Sequence, residues 1–445
     1  MRRYFTAEAG VKEADVLGII RAQATALPDV SAVEPLMNRI GEARIVMLGE
    51  ASHGTHEFYA YRAYITRRLI EEKGFNCIAV EGDWPDGYRI NRYVKGYEQG
   101  DRSPVEILHS FHRWPTWLWA NQETAVFLSW LRSFNATRSR QDKAGFYGLD
   151  LYSLWESMDR ILDYLERNDP SSVHLAKEAL HCFEPYRKKD GIAYGRAAHI
   201  VPDQCQKKVI DLLCGIRNRL PEYDGDQENV LNIEQNAYVV ANAEDYYRTM
   251  VEGGPHSWNL RDKHMADTLT RLLDFHGPRS KVVVWAHNTH IGDARATDMV
   301  DEGIFNIGEI ARIRHHRKGV VLVGFGSYQG TVLAARQWGA PMQIMEMPEA
   351  RRGSWEYYMH KAGEGDKLLI LDGMVDNILM MGHHFPHRAI GVVYDPRYEQ
   401  YGNYVPSILP LRYNAFIHLD RTRALHALHN RSDNRSMPET FPSGM

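Results

Sequence analysis

The chain has 445 residues, 44% of them hydrophobic and 25% charged. That balance is typical of folded globular proteins and excludes disordered, collagenous and coiled-coil classes. Lys and Arg number 53 against 57 Asp and Glu, a formal charge of -4, so the basic excess of a dedicated nucleic-acid binder is missing. Four cysteines (Cys77, Cys182, Cys205 and Cys214) form no C-x-x-C pair and suggest a reducing compartment, whereas 21 histidines offer groups that titrate near neutrality.

The N-terminal MRRYFTAEAGVKEADVLGII has two arginines but no apolar stretch after them, so no export signal is expected. No run of about 18 apolar residues follows anywhere. The expectation is therefore a cytoplasmic monomer without membrane or nucleic-acid partners.

In chain order, RIVMLGE (44–50), CIAVEGD (77–83), AGFYGLD (144–150), KVVVWAH (281–287) and VVLVGFG (320–326) read as buried parallel strands. Weaker strand candidates are TVLAA (331–335), PMQIMEM (341–347), KLLILDG (367–373), AIGVVYD (389–395) and NAFIHLD (414–420). Between the first two strands, THEFYAYRAYITRRLIEEKG has helical spacing and stops at Gly74, which completes a βαβ unit. From 151 to 280 long helical patterns replace the strands. The fold class expected is α/β, a mainly parallel central sheet flanked by helices with a large all-helical insertion over the active-site edge. Residues 1–150 and 281–445 would form the two parts of the core and 151–280 the insertion. The polar tail from residue 430 is expected to fray.

Ligands of open parallel sheets bind beyond the carboxyl ends of the strands. Those ends are expected to carry Glu50, Glu81 with Asp83, Asp150, His287 with Asn288, and the glycine-rich Gly324-Phe325-Gly326-Ser327. Glu50 and His53 leave their strand together, so the carboxylate can hold one ring nitrogen while the other faces substrate, the arrangement of an oriented general base. His287 and His290 follow another strand. Glu50, Glu81, His53 and His287 could in principle ligate a metal. Arg62 and Arg261, if they reach the same edge, would tie up the carboxylates and favour an ion-paired site without metal or cofactor.

Other segments carry less. His56-Glu57-Phe58-Tyr59-Ala60 starts like a zincin helix but has Ala60 where the second histidine must stand, so His56 reads as scaffolding. His383, His384 and His387 read as a surface loop. His315 and His316 read as a helix end suited to a cationic ring, and Trp114, Trp117 and Trp119 as core. No G-x-S-x-G or Walker A sequence occurs.

GEASHG with Arg62, VEGDWPD around Glu81, and WAHNTHIGD around His287 and His290 resemble the erythromycin esterase family in order and spacing. GFGSYQGTV and GAPMQIMEM extend the likeness, which spans roughly 35 to 420. The resemblance implies hydrolysis of an ester or macrolide lactone without a covalent serine intermediate, with a possible role in antibiotic resistance. In it His53 is the base that activates water, Glu50, Glu81 and His287 are catalytic partners, and Arg62, His290 and Arg261 support the site or the substrate. A comparable GE-x-x-H turn in Tiki-type metalloproteases and haem-binding ChaN-like proteins keeps two alternatives open. One is a metal-dependent hydrolase or peptidase using the same cluster, and the other a non-catalytic protein binding haem or another apolar ligand.

Overall fold

Apolar runs without polar alternation need cover on both faces, and the clearest of them form the centre of one sheet. The computed structural model describes residues 12–97, 102–187, 191–200, 204–220, 223, 226–374, 383–429, 438, 440, 441, 443 and 445. Its strands are β1 (Ala24–Ala26), β2 (Ile45–Leu48), β3 (Cys77–Asp83), β4 (Gly145–Asp150), β5 (Val282–Trp285), β6 (Val320–Ala334), β7 (Gln343–Met347), β8 (Lys367–Ile370), β9 (Phe385–Arg388), β10 (Tyr404–Ser407) and β11 (Ala415–Thr422).

The main sheet runs β1-β8-β11-β6-β2-β5-β3-β4, with β7 beside β6. Neighbours from β11 to β4 pair in parallel, while β1, β7 and β8 pair antiparallel, so the mainly parallel α/β class holds with an antiparallel margin. Strand β2 shows how both faces are covered. Ile45 and Met47 join one apolar cluster, Val46 and Leu48 the cluster on the other face, as the two-residue period of a strand requires.

The helices that matter for the site begin with α1 (Glu13–Gln23), α2 (Glu34–Ile40), α3 (His56–Lys73), α4 (Trp84–Val94), α5 (Pro104–Leu108) and α6 (Gln122–Ala136). Helix α3 ends where the sequence says it must, at Gly74 in the left-handed region with φ 69°. Between β4 and β5 lie α7 (Leu154–Asn168), α8 (Val173–Phe183), α9 (Gly191–Ile200), α10 (Gln204–Arg219), α11 (Gln227–Met250) and α12 (His256–Phe275). Residues of α7 to α11 make an apolar cluster of their own, with Met158, Ile161, Leu212, Val240 and Tyr247 in it. Helix α12 instead packs Met265, Leu269 and Leu272 into the cluster on the sheet. Beyond β5 come α13 (Asn288–Ile291), α14 (Ile307–Arg314) and α15 (Trp355–Lys361). No helix among the described residues is long and apolar enough to cross a membrane.

Several sequence expectations change. TVLAA is not a separate strand but the far half of β6, so Gly324 and Gly326 lie inside a strand and not in a turn. A Cβ there would stand 2.5 Å from the Tyr413 ring and 2.6 Å from that of Phe416, which is why glycine is needed. AIGVVYD makes isolated bridges (Ser52 with Ile390, Ala335 with Val393) and no continuous ladder. His387 is buried in β9, not on a surface loop, with Nδ1 2.5 Å from the Glu356 carboxylate of α15. His315 does cap α14, but burial pushes it down to about 4, so the ring is neutral there. Residues 430–437, 439, 442 and 444 of the tail lie outside the described residues. Among its described residues, Thr440 is buried and the Phe441 carbonyl accepts from the Tyr152 hydroxyl at 3.1 Å.

Candidate active site

Strand β2 is followed by Gly49, where a Cβ would meet the Asn288 side chain at 2.1 Å, and the chain turns through Gly54, where a Cβ would lie 1.8 Å from the Leu333 carbonyl oxygen. These close approaches hold the turn carrying Glu50 and His53 against the ends of β5 and β6. The Asn288 backbone N–H donates to the Glu50 carbonyl (2.9 Å), and its side chain donates to the Phe325 carbonyl (2.6 Å).

Within that turn Glu50 Oε1 lies 3.0 Å from His53 Nδ1 and Oε2 lies 2.7 Å from Arg62 Nη2. An ionised carboxylate only accepts, so Nδ1 of a neutral His53 carries the proton and Nε2 keeps its lone pair. Arg62 is fully buried, with its guanidinium carbon 4.3 Å from the Tyr59 ring centroid and 5.1 Å from that of Trp285. Its ion-pair partner among the described residues is Glu50.

The His287 ring stands 4.9 Å from the His53 ring, centroid to centroid, and is turned by 42°. The Thr289 backbone N–H points at His287 Nδ1 from 3.3 Å, which makes Nδ1 the acceptor and puts the proton of the neutral ring on Nε2. Burial holds His287 well below the ordinary imidazole range, so it stays neutral. Neither His53 Nε2 nor His287 Nε2 has a hydrogen-bond partner among the described residues, although both atoms are buried. One offers a lone pair and the other an N–H.

Behind His287 lies a second layer. Glu81 Oε2 accepts the His287 backbone N–H at 2.8 Å, and Glu81 Oε1 takes Arg261 Nη2 at 2.7 Å. Arg261 also binds Asp150, Nε to Oδ1 at 3.0 Å and Nη2 to Oδ2 at 2.6 Å, and donates to the Met445 backbone oxygen at 2.6 Å. His290 sits 3.1 Å from Arg261 Nη1 through Nε2 and 2.9 Å from Asp262 through Nδ1, stacked on Trp258 at 4.5 Å. Burial pushes the Glu81 carboxyl up, but His290, Arg261 and His53 with the His287 N–H outweigh it and hold the group well below the usual carboxylate range.

All seven residues singled out in the sequence therefore meet in one buried chain of contacts. It runs from Arg62 through Glu50 and His53 to His287, then through Glu81 to Arg261 and His290. Asp150 belongs to it as well. Asp83 does not. It pairs with Arg113 at 2.8 Å, and burial pushes it up to about 7. Three contributors escaped the sequence reading. Thr289 fixes the tautomer of His287, and Trp258 and Asp262 hold His290. Trp258, Arg261 and Asp262 are spaced i, i+3, i+4, one face of a helix, and that spacing was the available signal.

The erythromycin esterase family model matches residues 70–422, which include Glu81, Arg261, His287 and His290. The erythromycin esterase type II of Escherichia coli is 24% identical over 348 residues, 73% of this chain and 79% of that protein. The putative hydrolase YbfO of Bacillus subtilis (strain 168) is 20% identical over 315 residues, 65% of this chain and 66% of that protein. Among solved structures, a Bacillus cereus protein superposes with a TM-score of 0.79 at 18% identity, covering 94% of this chain and all of that one (100%). The erythromycin esterase EreC, solved as a histidine-to-asparagine mutant in its open conformation, superposes with a TM-score of 0.67 at 16% identity, over 90% of this chain and 97% of that one.

Proposed function

The chain belongs to the erythromycin esterase family, and from that premise we propose that it is a carboxylic-ester hydrolase in which His53 activates water. The observation that carries this reading is the pair of buried, unpartnered ring nitrogens, the lone pair of His53 Nε2 and the N–H of His287 Nε2, on rings whose centroids are 4.9 Å apart.

His53 Nε2 takes a proton from water as the oxygen attacks the carbonyl carbon of the ester. Charge develops on the carbonyl oxygen, and His287 Nε2–H donates to it in a site from which bulk water is excluded. When the tetrahedral intermediate collapses, the His53 imidazolium returns its proton to the departing alkoxide, giving a carboxylic acid and an alcohol. Glu50 stabilises that imidazolium and fixes its tautomer. The arginines are assigned to the carboxylates and not to the oxyanion, because Arg62 is ion-paired with Glu50 and Arg261 with Glu81 and Asp150. The same pairing supports a metal-free reaction, since both candidate carboxylate ligands are held by guanidinium. Macrolide lactones are the substrate class the family suggests, acting as cyclic esters of the same chemistry, with antibiotic resistance as the biological consequence.

The test is a panel of aryl esters, alkyl esters and macrolide lactones assayed with the folded protein, its His53→Ala variant and a chelator-treated sample. Hydrolysis by the parent and chelated samples with loss in His53→Ala is expected. Activity persisting in His53→Ala sinks the mechanism, and loss on chelation restored by metal, with the unfolding temperature unchanged by either step, moves the reaction to the metal-dependent reading.

A further inference from the structure

Outside the chain of contacts just described, three chemistry-bearing side chains meet where three separate segments touch. His56 opens α3, Glu123 lies in the first turn of α6, and His426 follows β11. Backbone bonds put them in register. The His56 N–H donates to the Arg423 carbonyl and the Gln122 N–H to the His426 carbonyl, each at 2.9 Å, and isolated bridges join Thr55 to Ala424 and Asn121 to Ala427.

Both His56 Nδ1 and His426 Nδ1 lie 2.6 Å from the same oxygen, Glu123 Oε1, and the two rings stand 5.3 Å apart at 84°. One potential ligand atom from each residue lies within 4.8 Å of the other two. The Glu123 side chain is only 6% exposed, yet its Oε2 has no hydrogen-bond partner among the described residues. A buried carboxylate oxygen left unpaired is costly. A cation held by this carboxylate removes that cost.

We propose that His56, Glu123 and His426 form a site for a divalent transition-metal ion, zinc above all, distinct from the His53–His287 site. Two imidazoles and one carboxylate form the nitrogen–oxygen set that suits zinc and its borderline neighbours and serves calcium or magnesium poorly. Ligands around tetrahedral zinc stand roughly 3.4 Å apart, so a small opening of the present 2.6 Å contacts admits the ion. The His426 side chain is 53% exposed, which gives access for the ion and leaves room for water as a further ligand. The zincin-like start of α3 fails at Ala60, and the second histidine comes from His426, far along the chain.

The placement has a consequence for the turn that holds His53. Leu425 N–H donates to the Gly54 carbonyl at 3.0 Å, and Arg423 pairs with Glu57. An ion bound here clamps the segment after β11 onto the start of α3, directly behind that turn. It does not touch His53, whose ring partners are Glu50 and His287.

The test uses the full chain, stripped with chelator, and titrates zinc chloride against a colorimetric zinc indicator. Thermal unfolding and the visible spectrum with cobalt(II) provide independent readouts. One tight equivalent, a rise in the unfolding temperature and ligand-field bands of a nitrogen–oxygen site are expected. His426→Ala and Glu123→Gln should each weaken binding by more than about 100-fold, while His53→Ala leaves it intact. His426→Ala is a half-exposed change whose fold is checked by circular dichroism. No saturable binding at submillimolar zinc, or an equivalent that His53→Ala removes and His426→Ala spares, overturns the proposal.

Discussion

His53 and His287 follow neighbouring strands as chemically identical side chains, and their second ring nitrogens decide what each can do. Glu50 accepts a hydrogen bond from the Nδ1–H of His53, whereas the Thr289 N–H donates to His287 Nδ1. Replacing His287 by Ala should therefore lower kcat by about 10²–10³-fold with little change in KM, the signature of a donor used in the transition state. His287→Gln places an amide N–H near the position of Nε2 and should recover part of that loss. Steady-state kinetics on one good ester decide it, and equal loss in Gln and Ala variants would count against a donor role. The strand-end carboxylates and histidines were visible in the sequence because motif spacing ties each to a short apolar run. Thr289 could be seen beside His287, but nothing in a one-dimensional pattern says which ring nitrogen it meets. Asp262 was hidden for a different reason, since its partner His290 comes from another element and only the packing of α12 against α13 joins them.

At the scale of elements, the site depends on how closely the turn after β2 approaches its neighbours. Gly54 has no room for a methyl group, because its Cβ would lie 1.8 Å from the Leu333 carbonyl oxygen in β6. Gly54→Ala must push the turn off β6 and stretch the bonds from Leu333 N–H and Leu425 N–H to the Gly54 carbonyl (2.9 and 3.0 Å). It should destabilise the protein by about 1–3 kcal/mol and reduce activity in whatever fraction still folds. Denaturant midpoint and kcat/KM measured together check this, and an unchanged midpoint contradicts the packing account. The five central strands were legible because an apolar run with no polar alternation has few alternatives to burial in a parallel sheet. The same rule misled at AIGVVYD. Its residues are buried, with Ile390 and Val392 fully so, but burial does not dictate a ladder. The glycine-rich GFGS also misled as a strand end, because glycine serves close packing against Tyr413 and Phe416 inside β6.

Across the whole molecule several buried or half-buried histidines lie outside the proposed site, and they bear on how the protein responds to acid. Burial, followed by the charges of Arg271 and other neighbours, pushes His264 down to about 3, and burial pushes His276 to about 3 and His315 to about 4. An unfolded chain restores each to about 6.5. Below that value the unfolded state binds protons that the folded state refuses, so stability is complete above pH 6.5 and drains away as pH falls toward 4 and 3. His56 and His290 act in the opposite sense, since both are raised: His56 by its bond to Glu123, and His290 by Asp262 and Glu81 against burial. Their contribution is present at low pH and lost on the alkaline side. Asp83, which burial raises to about 7, also opposes the depressed histidines, since it takes up its proton in the folded state before the unfolded chain does, so their share is read by comparing a variant with the parent between pH 6.5 and 4. His264 is the cleanest case, 1% exposed, with Nδ1 2.7 Å from the Asn242 amide. Replacing it by Gln removes one such proton and should flatten the unfolding free energy against pH by up to about 1.4 kcal/mol per pH unit in that window. A slope identical to the parent's would mean that His264 takes up its proton without unfolding, which its burial and the nearby Arg271 and Lys263 charges oppose.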